Sequence, residues 1–144
     1  MTTGLAVFDT TVQESNEWLR EIEQQLKPCD RQQAYAALRA VLHALRDRLP
    51  LDGVMGLSAQ VPMLLRGVLL EGWKPGQSSE VHDPQAFAAK VQGELPPGFP
   101  RESTGTISAV LQVLVHRIDP GEVHKLVHYL PTSLRVFWPS AYAA

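Results

Sequence analysis

Apolar residues recur along this chain at helical spacing. Phe8, Val12, Leu19, Ile22 and Leu26 follow at steps of three, four and seven, which predicts an amphipathic helix with one apolar stripe. Pro28 ends it. Asp30 can cap the next helix, whose inward positions are Ala34, Leu38, Val41, Leu42, Leu45 and Leu49. Pro50 closes that helix, and Asp52 opens a third one carrying Val54, Leu57 and Val61. Pro62 then falls inside an apolar run, where it removes a backbone donor and crowds the preceding turn. The helix is therefore expected to kink there, or to stop and restart with Pro62 in the first turn of a segment holding Leu64, Leu65, Val68 and Leu69. Gly72 marks its end.

Residues 73–82, WKPGQSSEVH, are polar and turn-rich and read as a linker. Asp83-Pro84 then reads as a cap and first residue of a helix with Phe87 and Val91. After the proline-rich ELPPGFPREST, Ser103 or Thr104 can cap a helix facing inward through Ile107, Val110, Leu111 and Leu114. Asp119 caps the following one, with Pro120 first and Glu122 placed to reach back to the cap amide. Pro131 repeats Pro62, and Trp138-Pro139 ends the regular structure. No run alternates with period two, so no strand is expected.

The second half of this pattern repeats the first. Shifted by 69 positions, Ala109–Trp138 lies without a gap on Ala40–Leu69. Ten of the 30 positions are identical, including Arg48 with Arg117, Pro62 with Pro131, and Arg66 with Arg135. Unrelated segments would match at about two or three. Upstream, Phe8 and Val12 share the spacing of Phe87 and Val91, which makes the second half about ten residues shorter between its first two helices. Each half thus reads helix, helix, proline-broken helix. Neither can bury its stripe alone, whereas two facing copies can. The expectation is one all-α domain over 1–144, with repeats at approximately 5–72 and 83–139 related by a pseudo-twofold axis.

Composition narrows the function little. A hydrophobic content of 44% over 144 residues supports one buried core. The net charge of −2, with 13 basic residues among 15 acidic ones, offers no field for nucleic acid. The opening MTTGLAVFDTTVQESNEW is unlike a signal peptide, and no apolar run approaches the ~18 residues of a membrane span. With Cys29 the single cysteine, a soluble cytoplasmic protein is the expectation.

Two motifs carry a family resemblance: AVL-x2-L-x2-R, and a Pro-x-x-Leu-Arg tail found as VPMLLR and LPTSLR. With Trp73 and Trp138 late in each half, the chain resembles the bacterial domain family of unknown function DUF2267 over roughly residues 5–139. The first copy departs in having Val61 where the second has Leu130, and Gly67 after Arg66. The resemblance implies a small all-helical bacterial protein and no activity.

The candidate chemistry is sparse. His124 and His128 have the i, i+4 spacing of a two-histidine metal site, but no HExxH or CxxC supplies further ligands, and solvated surface histidines are the competing reading. Arg66 and Arg135 could line an anion or small-molecule site between the halves; alternatively each bonds free helix-end carbonyls. Cys29 lacks a neighbouring base. Trp18, one step or about 100° before Leu19, is a lid over the core edge or an exposed partner anchor, with the anchor slightly favoured. The expected function is a non-enzymatic module that binds another protein or itself, without cofactor, nucleic acid or membrane. The alternative is a regulatory domain taking a ligand in the groove between repeats.

Overall fold

A computed structural model describes residues 2–76 and 80–143, and among these it contains helices and no strand. Residues 77–79 of the predicted linker, with residues 1 and 144, lie outside the described part. The α-helices are α1 (Ala6–Gln25), α2 (Arg31–Arg48), α3 (Leu51–Gln60), α4 (Met63–Leu70), α5 (Pro84–Glu94), α6 (Ser103–Arg117) and α7 (Pro120–Tyr129). A 3-10 helix, Thr132–Phe137, follows. None of them is long and apolar enough to cross a membrane.

Side-chain capping explains where three helices, α2, α5 and α7, begin. Asp30 accepts from the Gln33 amide at 2.8 Å, and Gln33 accepts from the Asp30 amide at 2.9 Å, a complete capping box. Asp83, with Pro84 behind it, accepts from Ala86 at 2.8 Å. α6 is preceded by Glu102, rather than capped by Ser103 or Thr104. At α7, Asp119 accepts from Glu122 at 3.3 Å, but Glu122 does not return the bond. The Asp119 amide donates instead to Gln60 Oε1 at 3.0 Å, from the end of α3. The Glu122 carboxylate lies against Gly56. The cap is thus closed by a residue of the other half, and α3 and α7 run antiparallel. They approach closely at Gly53, where a β-carbon would stand 3.1 Å from the Tyr129 ring.

Both prolines stop and restart the chain, and neither kinks a continuous helix. Val61 and Leu130 are extended, as residues before proline are, and Pro62 and Pro131 precede the next helix with φ of −54° and −55°. The restarted segments differ. α4 runs eight residues, whereas its counterpart is a six-residue 3-10 helix. Pro139 stands 69 positions after Leu70; it forces Trp138 extended and shortens the segment, which tightens to i+3 bonding.

Four helices enclose the core: α1 and α5 each pack against both α2 and α6, which also touch each other. The buried set in α1 is Trp18, Leu19, Ile22 and Leu26; in α5 it is Phe87, Ala88, Val91 and Leu95. Each member of the second set lies 69 positions after one of the first. The offset therefore runs through the first helices without a gap, so the expected ten-residue shortening is replaced by a longer α1. α1 has 20 residues and α5 has 11, and the additional nine are residues 6–14. Phe8 and Val12, the expected partners of buried Phe87 and Val91, are exposed and half-buried respectively.

Trp18 occupies the Phe87 position and is only 4% exposed. The slight preference for an exposed anchor is thus overturned: the indole is a lid within the core. Trp18→Ala is expected to lower the unfolding free energy by about 3 kcal/mol or more, read from urea denaturation.

Candidate functional site

The residues singled out from sequence do not converge on one site. Arg66 Nε donates to the Ser58 carbonyl at 2.7 Å, and Arg135 Nη2 to the Leu130 carbonyl at 3.5 Å. Each thereby satisfies carbonyls left free where α3 or α7 stops before its proline. The Arg135 Nε is buried without a partner. His124 and His128 are both exposed. His128 Nδ1 donates to the His124 carbonyl at 2.7 Å, and the His124 ring packs on Tyr142 with centroids 4.8 Å apart. Among the described residues no third imidazole, thiolate or carboxylate joins this pair. Burial, with Asp30 beside it, pushes the Cys29 thiol up, away from thiolate reactivity.

Instead, α1 and α6 build a polar cleft of about 440 Å³. Glu21, on α1 and largely buried, accepts from His116 Nδ1 and from Arg117 Nε, both at 2.8 Å. Glu17 lies 3.7 Å from Arg117, and Gln112 with Gln24 completes the rim. Glu21 thereby holds the exposed His116 ring at the edge of the cleft. This assembly can hold α1 to α6, and it places a proton acceptor beside amides and charges, with no hydroxyl or thiol nucleophile in its lining.

The place related by 69 positions lies between α2 and α5. There Lys90 Nζ donates to Asp47 at 3.0 Å. Lys90 corresponds to Glu21 and Asp47 to His116, so the same joint is made with the polarity reversed. Arg48, the counterpart of Arg117, would face Lys90 and turns instead to the Val81 carbonyl at 2.9 Å. Burial acts upward on the Asp47 carboxyl, but bonds from Arg46 and Lys90 outweigh it and hold the pKa below the usual range. Nearby, buried Arg46 donates to the Leu69 and Glu71 carbonyls at 2.9 and 2.8 Å, and His43 Nε2 to the Val68 carbonyl at 2.6 Å. These bonds close the C-terminus of α4.

The surface also carries large apolar side chains. Val7 and Phe8 on α1, and Met63 and Leu64 on α4, are each 49–53% exposed. The Leu64 amide donates to Thr11 Oγ1 at 2.8 Å, which joins these two stretches into one face. Leu51 and Met55 add exposed apolar side chains on α3.

A family model described as "Uncharacterized conserved protein (DUF2267)" matches residues 15–137. The chain belongs to the DUF2267 family. No curated protein matches it. The match begins at Ser15, which is 69 positions before Pro84, the first residue of α5. Residues 6–14 of α1 thus precede the matched DUF2267 region.

Sequence reasoning missed the two joints of this DUF2267 domain because Glu21 and Lys90 carry opposite charges, and the acceptor Asp47 stands where the other joint has the donor His116. Only reading the four positions together, in the 69-residue register, reveals complementary charge on both sides. Glu21→Ala removes the shared acceptor of His116 and Arg117, and is expected to cost about 1 kcal/mol in urea denaturation, a modest figure because His116 is exposed.

His43 generates an acid response. Burial lowers its pKa despite the upward pull of the Val68 bond. The unfolded chain then binds the proton more readily, so stability falls as pH drops below the ordinary 6.5. Asp47 adds to this only below its ordinary 3.8. Between about pH 7 and about pH 5, melting temperature should fall less in His43→Gln than in the native chain.

Proposed function

We propose that this DUF2267 domain acts by binding another protein through its apolar surface, not by catalysis. The observation that carries this reading is a contrast between halves. Met55, Met63 and Leu64 are exposed and apolar, while the positions 69 residues later are His124, Thr132 and Ser133. The fold accepts polar residues at these places in one half, so the apolar ones in the other are not required for folding. A partner that covers them removes that apolar surface from water. We further read the domain as two repeats about a pseudo-twofold axis. The packing partners support this, since α1 and α5 exchange places when the halves are exchanged, as do α2 and α6. A cytoplasmic setting fits the single thiol, Cys29.

An anion or ligand site between the repeats is less well supported, because Arg66 and Arg135 each bond a carbonyl of their own half.

The test is affinity capture from the native cell with wild-type protein and with Met55→Asp/Met63→Asp as bait, followed by mass spectrometry of bound proteins and small molecules. A protein retained by the wild type and lost from the variant supports the reading. Equal recovery on both baits, or enrichment of a small molecule alone, contradicts it.

A further inference from the structure

We propose that the first turns of α1 and the start of α4 form a self-association face, which pairs with the same face of a second copy of this chain. The proposal rests on reading the domain as a binding module and names the occupant of part of that surface. Residues 6–14 extend α1 by nine residues beyond the length of α5 and precede the family match. None of residues 2–14 is fully buried, and only Asp9, Thr11 and Val12 are half-buried, so little burial offsets the entropy of ordering them. Yet they present Leu5, Val7 and Phe8, beside Met63 and Leu64 across the Thr11–Leu64 bond.

The chemistry of this face suits a copy of itself. Asp9 is the single charged side chain among residues 2–13, and its carboxylate already accepts from Thr2 Oγ1 at 3.0 Å and the Thr3 amide at 2.6 Å. Two such faces can therefore meet across a twofold axis with little like-charge repulsion. Five half-exposed side chains leave roughly 400–500 Å² of apolar surface per copy, near the upper range for one patch on a monomer. Pairing two of them with their threonine rims reaches about 1,200 Å², the lower end for a specific interface and enough for a weak dimer. A lipid surface fits poorly: anionic membranes recruit clustered lysines and arginines, and the only basic side chain of α4, Arg66, is engaged with Ser58.

Sedimentation equilibrium of the purified full chain tests this across low to high micromolar concentration. The expected result is a weight-average mass that rises with concentration from the 15.9 kDa of one chain toward twice that value. Phe8→Asp and, independently, Leu64→Asp should each weaken association at least tenfold, with helical circular dichroism unchanged. Val136→Asp, at an exposed apolar position of the 3-10 helix, should leave it intact. A mass that stays at one chain throughout overturns the proposal, as does a dimer insensitive to both Phe8→Asp and Leu64→Asp. Either outcome leaves binding of a different protein, tested by affinity capture, as a separate question.

Discussion

Burial of one set of apolar side chains across the junction of the two halves is the interaction on which the rest of this fold depends. α1 of the first half closes over α6 of the second, and α5 of the second closes over α2 of the first. Trp18, Ile22 and Leu26, with Phe87, Val91 and Leu95 at the corresponding positions, supply this contact. Without the helices of the other half these stripes would face water, and burying them is favourable. Everything else is arranged around that shared core. The proline stops turn the chain back onto it, and the charged joints Glu21–His116 and Asp47–Lys90 clasp its two flanks.

Several polar side chains inside the domain serve helix ends. A helix that stops before a proline leaves carbonyls unpaired, and burying these without partners is unfavourable. Arg66 and Arg135 answer that need within each half, while Arg46 and His43 answer it at the end of α4. The cap shared by Asp119 and Gln60 does the same across the halves. Arg66 and Arg135, which suggest an anion site in the sequence, are thus engaged in closing helix ends. What remains uncommitted is surface, and its most unusual part is the apolar side of α1 and α4.

Much of the fold was legible because periodicity and capping speak locally. The helix starts at Asp30 and Asp83 and the stops at Pro62 and Pro131 follow from one or two residues each. Trp18 was harder. The spacing of Phe8 and Val12 imitates that of Phe87 and Val91, and this false register hid the pairing of Trp18 with Phe87. Glu122 failed as a reciprocal cap because Gln60, distant in sequence, reaches the Asp119 amide first. The charged joints were invisible for a similar reason: each joins helices distant in sequence, and their polarity is inverted between positions 69 residues apart. Local pattern thus identified elements, while contacts between elements needed the three-dimensional arrangement.

The central claim is that the two halves share one core, beginning near Ser15, onto which the first turns of α1 are added. Native-state hydrogen exchange under increasing denaturant tests it most directly, because it resolves opening free energy residue by residue. Amides of α2 and α6 are predicted to converge on a single global unfolding isotherm together with Ile22 and Leu26. At low protein concentration, amides of residues 8–14 are predicted to exchange through local opening, well before that transition. Separate isotherms for α2 and α6, or residues 8–14 protected as strongly as Ile22 in the monomer, would contradict the account.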